Sequence, residues 1–234
     1  MRSPLPGKRM TIFKGYHPDI KGNAELSSMF TGIVETIGKV ESIEGNGTNL
    51  SFWIASSISN ELKVDQSVSH DGVCLTVEQI ENGKHRVTAI EETLNKTNLR
   101  NWKEDAAINI ERCMQLNARV DGHLVQGHVD ATAFCIDVEE KKGSWEYRFQ
   151  IPAEFTHLII EKGSVCINGI SLTAFDIKFN SFNVAIIPYT YQHTNIHSVK
   201  NNSVVNIEFD VIGKYLARFR EVFNYKANDS FARS

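Results

Sequence analysis

The chain has 234 residues, and its 25 Lys and Arg residues against 28 Asp and Glu residues give a formal net charge of −3. This length allows one or two domains with their own hydrophobic cores, while the acidic balance excludes a general electrostatic attraction to nucleic acid or anionic membranes. No apolar run approaches the roughly 18 residues that a membrane-spanning helix needs.

The cysteine pattern gives no sign of a metal site. The four cysteines, Cys74, Cys113, Cys135 and Cys166, show neither CxxC nor Cys/His ligand spacing. The sequence also lacks a secretory hydrophobic region. We therefore expect no bound metal, and we expect reduced thiols in a cytoplasmic protein.

Residues 1–28 contain Pro4, Pro6 and Pro18 and an excess of basic residues, without the periodicity of a packed helix or strand. A disordered N-terminal extension is therefore predicted. Its origin is open between a targeting peptide, a misread start codon and an added leader. Its acidic residues and low serine content disfavour the targeting peptide.

Alternating apolar positions predict antiparallel β-structure in the rest of the chain. In the first half they occupy 34–43, 50–54, 73–77 and 87–90, with turn signals at 45–47 and 82–83. In the second half they occupy 129–138, 147–151, 164–167 and 182–187, with turn signals at 142–143 and 180–181. Short, evenly spaced strands of this kind are typical of small closed barrels, which have no exposed sheet edge.

After Asp210 the apolar spacing changes to that of a helix. Apolar side chains recur at helical intervals at Ile212, Tyr215, Leu216, Phe219, Val222 and Phe223. An amphipathic helix is predicted over 212–224, followed by a flexible tail over 225–234. The apolar stripe needs a partner, which is either the chain's own barrel or another copy of the chain.

The two halves are related by an internal duplication. Asp-Gly-Val-Cys-Leu-Thr at 71–76 returns as Asn-Gly-Ile-Ser-Leu-Thr at 168–173, and the offset stays constant from Ser67/Ser164 to Asn109/Asn206. After a short insertion, 31–35 aligns with 126–130. Since stacked repeats have periods of about 20 to 50 residues, this longer repeat indicates two domains of one fold, over 29–122 and 123–211.

Four segments carry a resemblance to a known family. They are Met-Phe-Thr-Gly-Ile-Val at 29–34, His-Asp-Gly-Val-Cys-Leu-Thr-Val at 70–77, Gly-His-Leu-Val-Gln-Gly-His-Val-Asp at 122–130 and Asn-Gly-Ile-Ser-Leu-Thr at 168–173. In this order, on a duplicated frame, they resemble the alpha-type riboflavin synthases, a lumazine-binding family. The resemblance extends from Met29 to about Phe223. The family begins at the methionine corresponding to Met29, so the extension 1–28 departs from its pattern.

The resemblance implies an all-β fold of two tandem six-stranded Greek-key barrels, with a C-terminal helix that gathers three chains into a homotrimer. It implies a transferase of riboflavin biosynthesis. Two molecules of 6,7-dimethyl-8-ribityllumazine would dismutate by four-carbon transfer, giving riboflavin and 5-amino-6-ribitylamino-uracil. The family uses no metal and no organic cofactor. Lumazine synthase, a neighbour in the pathway, is a candidate partner.

The resemblance also implies two substrate sites. The first barrel would bind one lumazine through Gly32, Ile33, Val34, Cys74, Leu75, Thr76, Thr88, Ala89, Ile90, Glu91, Glu92 and Thr93. The second would use Gly127, His128, Val129, Lys162, Ser171, Leu172, Thr173, Ile186, Ile187, Pro188, Tyr189, Thr190 and Tyr191. In the family, the productive pair of sites lies between the first barrel of one chain and the second barrel of its neighbour.

The candidate catalytic residues are His128, Cys74 and Ser171. An imidazole suits the transfer of a proton from the 7-methyl group of one lumazine, and a thiolate suits addition at C7 of the other. For His128 the alternative is a structural histidine at the barrel end. For Cys74 it is a small apolar residue that only lines the pocket. Cys74 aligns with Ser171 in the duplication.

Other side chains have candidate binding roles. Ser67, Thr76, Ser171 and Thr173 can hydrogen-bond the dione edge or the ribityl hydroxyls. Lys162 could stabilise the anion that deprotonation leaves. Phe30 would either stack on a ring or seal the barrel end. The remaining candidate histidines, His70, His123, His193 and His197, receive no predicted role.

Two other function classes compete with the enzyme. A non-catalytic lumazine- or flavin-binding protein of the antenna type would share the fold, but typically keeps a competent pocket in only one barrel, whereas this chain has polar sets in both. An oligonucleotide-binding barrel would need a basic groove with stacking aromatics, and the net charge of −3 disfavours it.

Overall fold

A computed structural model describes residues 29–115 and 117–231, so the predicted extension 1–28 lies outside the described residues. The first half of the chain forms one closed antiparallel barrel. Its strands follow the cyclic order β1-β2-β5-β4-β3-β6. They are β1 (Thr36–Asn46), β2 (Asn49–Ala55), β3 (Ser67–His70), β4 (Val73–Glu81), β5 (Lys84–Ala89) and β6 (Ala107–Arg112).

The second half forms a second closed barrel with the equivalent order, β10-β11-β8-β7-β12-β9. Its strands are β7 (Ala131–Lys141), β8 (Ser144–Gln150), β9 (Ser164–Ile167), β10 (Ile170–Lys178), β11 (Ser181–Ile186) and β12 (Val204–Phe209). Two six-stranded antiparallel barrels confirm the predicted fold class.

The cores follow from the predicted alternation. Phe52 and Ile54 on β2 point into the first barrel, and Tyr147 and Phe149 occupy the equivalent positions on β8 in the second; all four are almost completely buried. The residues in the turns between strands also suit the backbone conformations found there. Asn82, between β4 and β5, has a φ of 49°, a left-handed conformation that asparagine tolerates better than most residues.

A buried polar network joins the two barrels. The Asn109 side-chain amide donates to the carbonyl oxygen of Asn168 at 2.8 Å, and the Asn206 amide donates to the carbonyl oxygen of Asp71 at 2.9 Å. In addition, Oδ1 of Asp71 accepts hydrogen bonds from the Asn109 backbone and the Asn195 side chain at 2.7 and 2.9 Å. Asp71 and Asn168 are equivalent in the duplication. Because hydrogen bonds are directional, the network holds the barrels in one relative orientation.

Two short helices occupy equivalent positions in the duplication. α1 (Glu91–Lys96) follows β5, and α2 (Pro188–His193) follows β11. Each is succeeded by a 3₁₀ turn, Asn98–Asn101 in the first barrel and Asn195–Ser198 in the second. The predicted substrate stretches 88–93 and 186–191 therefore run from a strand end into the first turn of a helix.

The C-terminal helix α3 (Val211–Phe231) leaves its apolar stripe uncovered. Tyr215 is 73% exposed and Leu216 is 65% exposed, and the other stripe residues are exposed as well. Packing of the stripe on the chain's own barrel, one of the two alternatives, is therefore wrong for this chain. The helix is also longer than the predicted 212–224 and includes most of the segment 225–234 that was expected to be flexible.

The start of α3 is tied to the second barrel. Oδ1 of Asp210 accepts the Ile212 amide at 2.9 Å, which satisfies one of the free N–H groups of the first turn. The Lys214 ammonium lies 3.0 Å from the Asp130 carboxylate, and both side chains are partly buried. Among the described residues, no helix is long and apolar enough to cross a membrane.

Candidate active site

Two short segments cross from one barrel to the other. We name residues 31–34, which precede β1, the first strap, and residues 126–129, which precede β7, the second strap. The Ser171 amide on β10 donates to the carbonyl oxygen of Gly32 at 2.8 Å, and the Cys74 amide on β4 donates to that of Gly127 at 2.8 Å. The first strap therefore lies on the second barrel, and the second strap lies on the first barrel.

Glycine is required at the centre of each strap. Gly32 and Gly127 both have a φ of 75°, in the left-handed region. A Cβ on Gly32 would lie 2.7 Å from the Cβ of Ser171, and a Cβ on Gly127 would lie 2.6 Å from that of Cys74. No larger residue would allow these approaches without displacing the strand.

The exchange corrects one expectation from the sequence. Gly32, Ile33 and Val34 were grouped with Cys74, and Gly127, His128 and Val129 with Ser171. The structure pairs them the other way, because each strap hydrogen-bonds to the strand of the opposite barrel. The duplication shows which segments are equivalent but not which barrel each contacts, because exchanged and unexchanged straps have the same sequence pattern.

The first-barrel site is a cavity of about 250 Å³ on the outer wall of the barrel. Its lining comes from the start of β4 with Cys74, from the second strap with His128, and from α1. The residues that line it are Val73, Cys74, Glu92, Thr93, Lys96, Thr97, Gly127, His128 and Val129. His128 and Cys74, the two candidate catalytic residues, thus face one cavity.

Strand alternation decides which predicted residues reach this cavity. On β4, Cys74 is half-buried and Thr76 is exposed, while Leu75 between them is 5% exposed and belongs to the barrel core. On β5, Ala89 is buried in the core, and Thr88 bonds to Ser51 at 2.8 Å instead. Leu75 and Ala89 can therefore offer only backbone atoms to a ligand outside the barrel.

The equivalent second-barrel site contains Ser171, the first strap and α2. Ser171 is half-buried and Thr173 is exposed on the same face of β10. Ile33 of the first strap is 47% exposed and has no titratable group, although His128 occupies the matching position of the second strap. Tyr191 on α2 stacks on Trp145 with ring centroids 3.6 Å apart. Tyr189, Ile187 and Pro188 are exposed beside it.

His123, for which the sequence predicted no role, lies in the candidate second-barrel site. Its Nδ1 atom lies 2.7 Å from the Ser171 hydroxyl, and its backbone amide donates to the Thr31 carbonyl at 3.1 Å. The ring is 9% exposed, and burial lowers the pKa of His123 below its ordinary value. A neutral imidazole with its proton on Nε2 can therefore accept the Ser171 hydroxyl proton. The only sequence signal was its place in the 122–130 segment.

Each strap is held by a buried carboxylate. Amide groups of the first strap point at Glu111 on β6, and those of the second strap point at Glu208 on β12. Burial raises the pKa of each carboxyl to about 7, although the hydrogen bonds from the strap amides act in the opposite direction.

Three other predicted residues lie at the edges of the sites. Phe30 is completely buried beneath the straps with Val125 and Cys166, which fits sealing of the interior better than stacking on a ligand. Ser67 pairs with Thr76 across β3 and β4. Lys162 lines a different groove, between the second barrel and α3, and its ammonium lies 5.2 Å from the centroid of the Phe175 ring.

Comparison with known proteins identifies the family. The lumazine binding domain model matches twice, over residues 31–113 and 126–210. The chain is 38% identical to riboflavin synthase of Actinobacillus pleuropneumoniae over 82% of this chain and 89% of the relative. It is 35% identical to that of Bacillus subtilis over 86% and 93%. The chain belongs to the riboflavin synthase family.

Solved structures of lower identity share the riboflavin synthase fold seen here. LumP complexed with riboflavin superposes with a TM-score of 0.73 at 20% identity, covering 77% of this chain and 98% of LumP. LumP complexed with 6,7-dimethyl-8-(1'-D-ribityl) lumazine gives 0.70 at 21% identity, with the same coverage. At this level of identity the likeness concerns the fold alone.

Proposed function

We propose that this protein is a riboflavin synthase that converts two molecules of 6,7-dimethyl-8-ribityllumazine into riboflavin and 5-amino-6-ribitylamino-uracil. The observation that carries the proposal is the doubled site. Each site combines an outward-facing strand and a short helix of one barrel with a strap from the other half of the chain, with Cys74 at one centre and Ser171 at the other. A reaction between two identical substrates needs two related sites.

The sites are suited to a flat ring with a polyol tail. The first-barrel cavity of about 250 Å³ combines apolar walls at Val73 and Val129 with the hydroxyls of Thr93 and Thr97. Small hydroxyl groups can exchange hydrogen bonds with ribityl hydroxyls without filling the space that the ring needs. Thr173 and Ser171 offer the same groups on the second barrel. Holding both rings in register lowers the entropic part of the barrier by several kcal/mol.

His128 is the group we assign to proton transfer. The reaction begins when the 7-methyl group of one lumazine loses a proton and leaves a carbanion delocalised into the ring. His128 is exposed at the mouth of the first-barrel cavity, opposite Cys74. Its ring nitrogen can take the methyl proton and return it to an intermediate later. Cys74 lines the same cavity and would face the same substrate, either as a nucleophile or as a small lining residue.

The second-barrel site can activate an oxygen nucleophile. The Ser171 hydroxyl lies 2.7 Å from the Nδ1 atom of His123. When oxygen, from Ser171 or from a water held there, bonds to C7 of the second lumazine, its proton moves to His123 and the electron pair of the C6–C7 double bond moves through N5 into the pyrimidine ring. The carbanion from the first site then attacks this activated ring.

The assembly of the enzyme rests on α3. The exposed stripe that includes Tyr215, Leu216 and Phe219 is the kind of surface a soluble protein covers. We propose that three copies cover it mutually, forming a homotrimer in which a first-barrel site of one chain faces a second-barrel site of the next. A cytoplasmic location and an association with lumazine synthase also remain predictions.

Incubation with 6,7-dimethyl-8-ribityllumazine as the sole substrate tests the function. Riboflavin should appear with its own visible absorbance, one molecule for every two lumazines consumed, and uracil product should accumulate in equal amount. Tight binding of lumazine with no turnover would instead support the competing class, a non-catalytic lumazine-binding protein.

A further inference from the structure

The second strap is fixed by one carboxylate through three consecutive amides. Oε1 of Glu208 accepts the Gln126 N–H at 2.7 Å, and Oε2 accepts the Gly127 and His128 N–H groups at 2.9 and 3.0 Å. Glu208 is 2% exposed. Residues 126–128 lie outside the barrel strands, so this carboxylate takes the place of a neighbouring strand as their acceptor.

The carboxylate and the site that it organises belong to different barrels. Glu208 is on β12 of the second barrel, whereas the strap it holds lies against Cys74 of the first. The hydrogen bond at 3.0 Å to the His128 amide fixes the backbone from which the imidazole extends over the first-barrel cavity. We propose that Glu208 is a positioning residue for the first-barrel site, and that it acts by setting the place of His128.

Glu111 is the matched residue for the other site. Oε1 of Glu111 accepts both the N–H and the hydroxyl of Thr31 at 2.7 Å, and Oε2 accepts the Gly32 N–H at 3.0 Å. This residue is on β6 of the first barrel, yet the first strap lies against Ser171 of the second. Glu111 therefore positions the second-barrel site, where the strap carries Ile33 instead of a histidine.

The two carboxylates also differ in their surroundings. Glu208 faces the Lys214–Asp130 ion pair near the start of α3, and Lys214 acts to lower its pKa while Asp130 acts to raise it. Glu111 instead accepts a hydrogen bond from the Thr31 hydroxyl. Because Lys214 belongs to α3, the strap that carries His128 is connected through Glu208 to the C-terminal helix, and the first strap has no such connection through Glu111.

A double-mutant cycle tests this positioning role, which rests on the proposed function of His128. Glu208→Gln keeps the side-chain volume but replaces one acceptor oxygen by a donor, so turnover should fall by about 10²-fold, as a displacement of roughly 1 Å can cause. In a His128→Gln background, Glu208→Gln should cost less than about twofold more. Glu111→Gln, the matched control, should cost the same factor in both backgrounds, because it acts at the other site.

If Glu208→Gln reduces turnover by the same factor in the wild-type and His128→Gln backgrounds, the two effects are additive and the proposal is overturned. Circular dichroism and thermal melting identify any variant that has lost its fold. If the wild-type protein shows no turnover, the cycle cannot be measured, and that result contradicts the proposed function. The NMR titration described next then tests the positioning role by itself.

An NMR titration tests the geometry without turnover. In His128→Gln, which has no imidazole in the second strap, the amide protons of Gln126 and Gly127 should shift together as the Glu208 carboxyl, whose pKa burial raises to about 7, takes up a proton. The Thr31 and Gly32 amides should follow Glu111 separately. Amide resonances of the second strap that stay constant between pH 5 and 9, about two pH units either side of 7, would overturn the proposal independently.

Discussion

His70 and His85 share a hydrogen bond of 2.8 Å between their Nε2 atoms inside the first barrel. Both rings are completely buried. The Nδ1 atom of His70 lies 3.0 Å from the Val68 carbonyl oxygen, which can only accept, so His70 carries its proton there. His85 must then donate through Nε2 and accept the Ser59 hydroxyl at Nδ1, 2.9 Å away. Both histidines are neutral in this arrangement.

We expect this pair to make the first barrel sensitive to acid. Burial lowers the pKa of His85 to about 4, and burial followed by the charge of its neighbour lowers the pKa of His70 well below its usual value. Unfolded histidines take up protons near pH 6.5, so stability is fully present above that pH and is lost as the pH falls toward 4. The His85 contribution alone is about 3 kcal/mol. Urea unfolding between pH 7 and about 4 measures this contribution as the difference from a variant without the pair, because the Glu111 and Glu208 carboxyls, whose pKa burial raises to about 7, act in the opposite direction in the same range.

The second barrel supplies the control for this prediction. Ile167 and Phe182 occupy the positions of His70 and His85 in the duplication, and both are completely buried. The double variant His70→Ile/His85→Phe, which copies that core, should lose most of the additional dependence on pH. An unchanged slope of unfolding free energy against pH in the double variant would show that other groups are responsible.

His128→Gln should separate binding from chemistry. A glutamine keeps a hydrogen-bonding side chain over the cavity but cannot carry the methyl proton. Lumazine affinity should therefore stay within a few-fold while turnover falls by about 10² to 10⁴. Fluorescence titration and steady-state kinetics give the two values. Turnover equal to wild type would assign His128 a structural role.

Cys74→Ser decides between the two roles left open for the thiol. If sulfur adds to C7, in place of the oxygen nucleophile assigned above to the second-barrel site, turnover should fall as far as in His128→Gln. If Cys74 only lines the cavity, the loss should be small, since serine has nearly the same size. Kinetics of the two variants measured together separate these outcomes.

His123→Gln tests the contact at the second-barrel site. Loss of the imidazole base 2.7 Å from the Ser171 hydroxyl should reduce turnover by about 10²-fold or more, with lumazine affinity nearly retained, because glutamine can accept a hydrogen bond but cannot take the proton. The acidic limb of the pH–rate profile should also change, because the imidazole must be neutral to accept the proton. A variant with normal kinetics would show that His123 merely packs against the first strap.

The C-terminal helix should be necessary for assembly and activity. Burial of each large apolar side chain of the stripe contributes roughly 1.5 to 3 kcal/mol to association, so removal of the residues after Asp210 should give inactive monomers. Leu216→Glu should act in the same direction, and Arg218→Ala, outside the apolar stripe, should not. Sedimentation velocity distinguishes monomer from trimer. A fully active wild-type monomer in dilute solution would contradict both the trimer and a site between chains.

Mixing two impaired variants tests where the two substrates meet. A His128→Gln chain keeps an intact second-barrel site, and a Ser171→Ala chain keeps an intact first-barrel site. If the productive pair lies between chains, mixed trimers should regain part of the activity after subunit exchange, which fluorescent labels can verify. No recovery in verified mixtures would place the reacting pair within one chain.

Most of the fold could be predicted from the sequence because its signals are local. Alternation at 34–43 and 129–138 follows from the pleat, which places successive side chains on opposite faces. The sequence similarity between 71–76 and 168–173 predicted a second barrel of the same kind. The spacing from Ile212 to Phe223 predicted a helix with one apolar face, and the exposure of Tyr215 and Leu216 shows that its own barrel does not cover it.

What the sequence by itself determined was the duplication, and with it the equivalence of the two straps and of Cys74 with Ser171; that these residues and His128 form the substrate sites stays a prediction. The tertiary structure decided which of them meet. Gly32 reaches Ser171, and Gly127 reaches Cys74, only because the asparagine network fixes the orientation of one barrel against the other. Likewise, His123 meets Ser171, and His70 meets His85, through contacts that depend on strand register and on barrel closure. A sequence pattern records the period of each segment, but these contacts join different segments of the chain, whose relative placement depends on the packing of the whole fold.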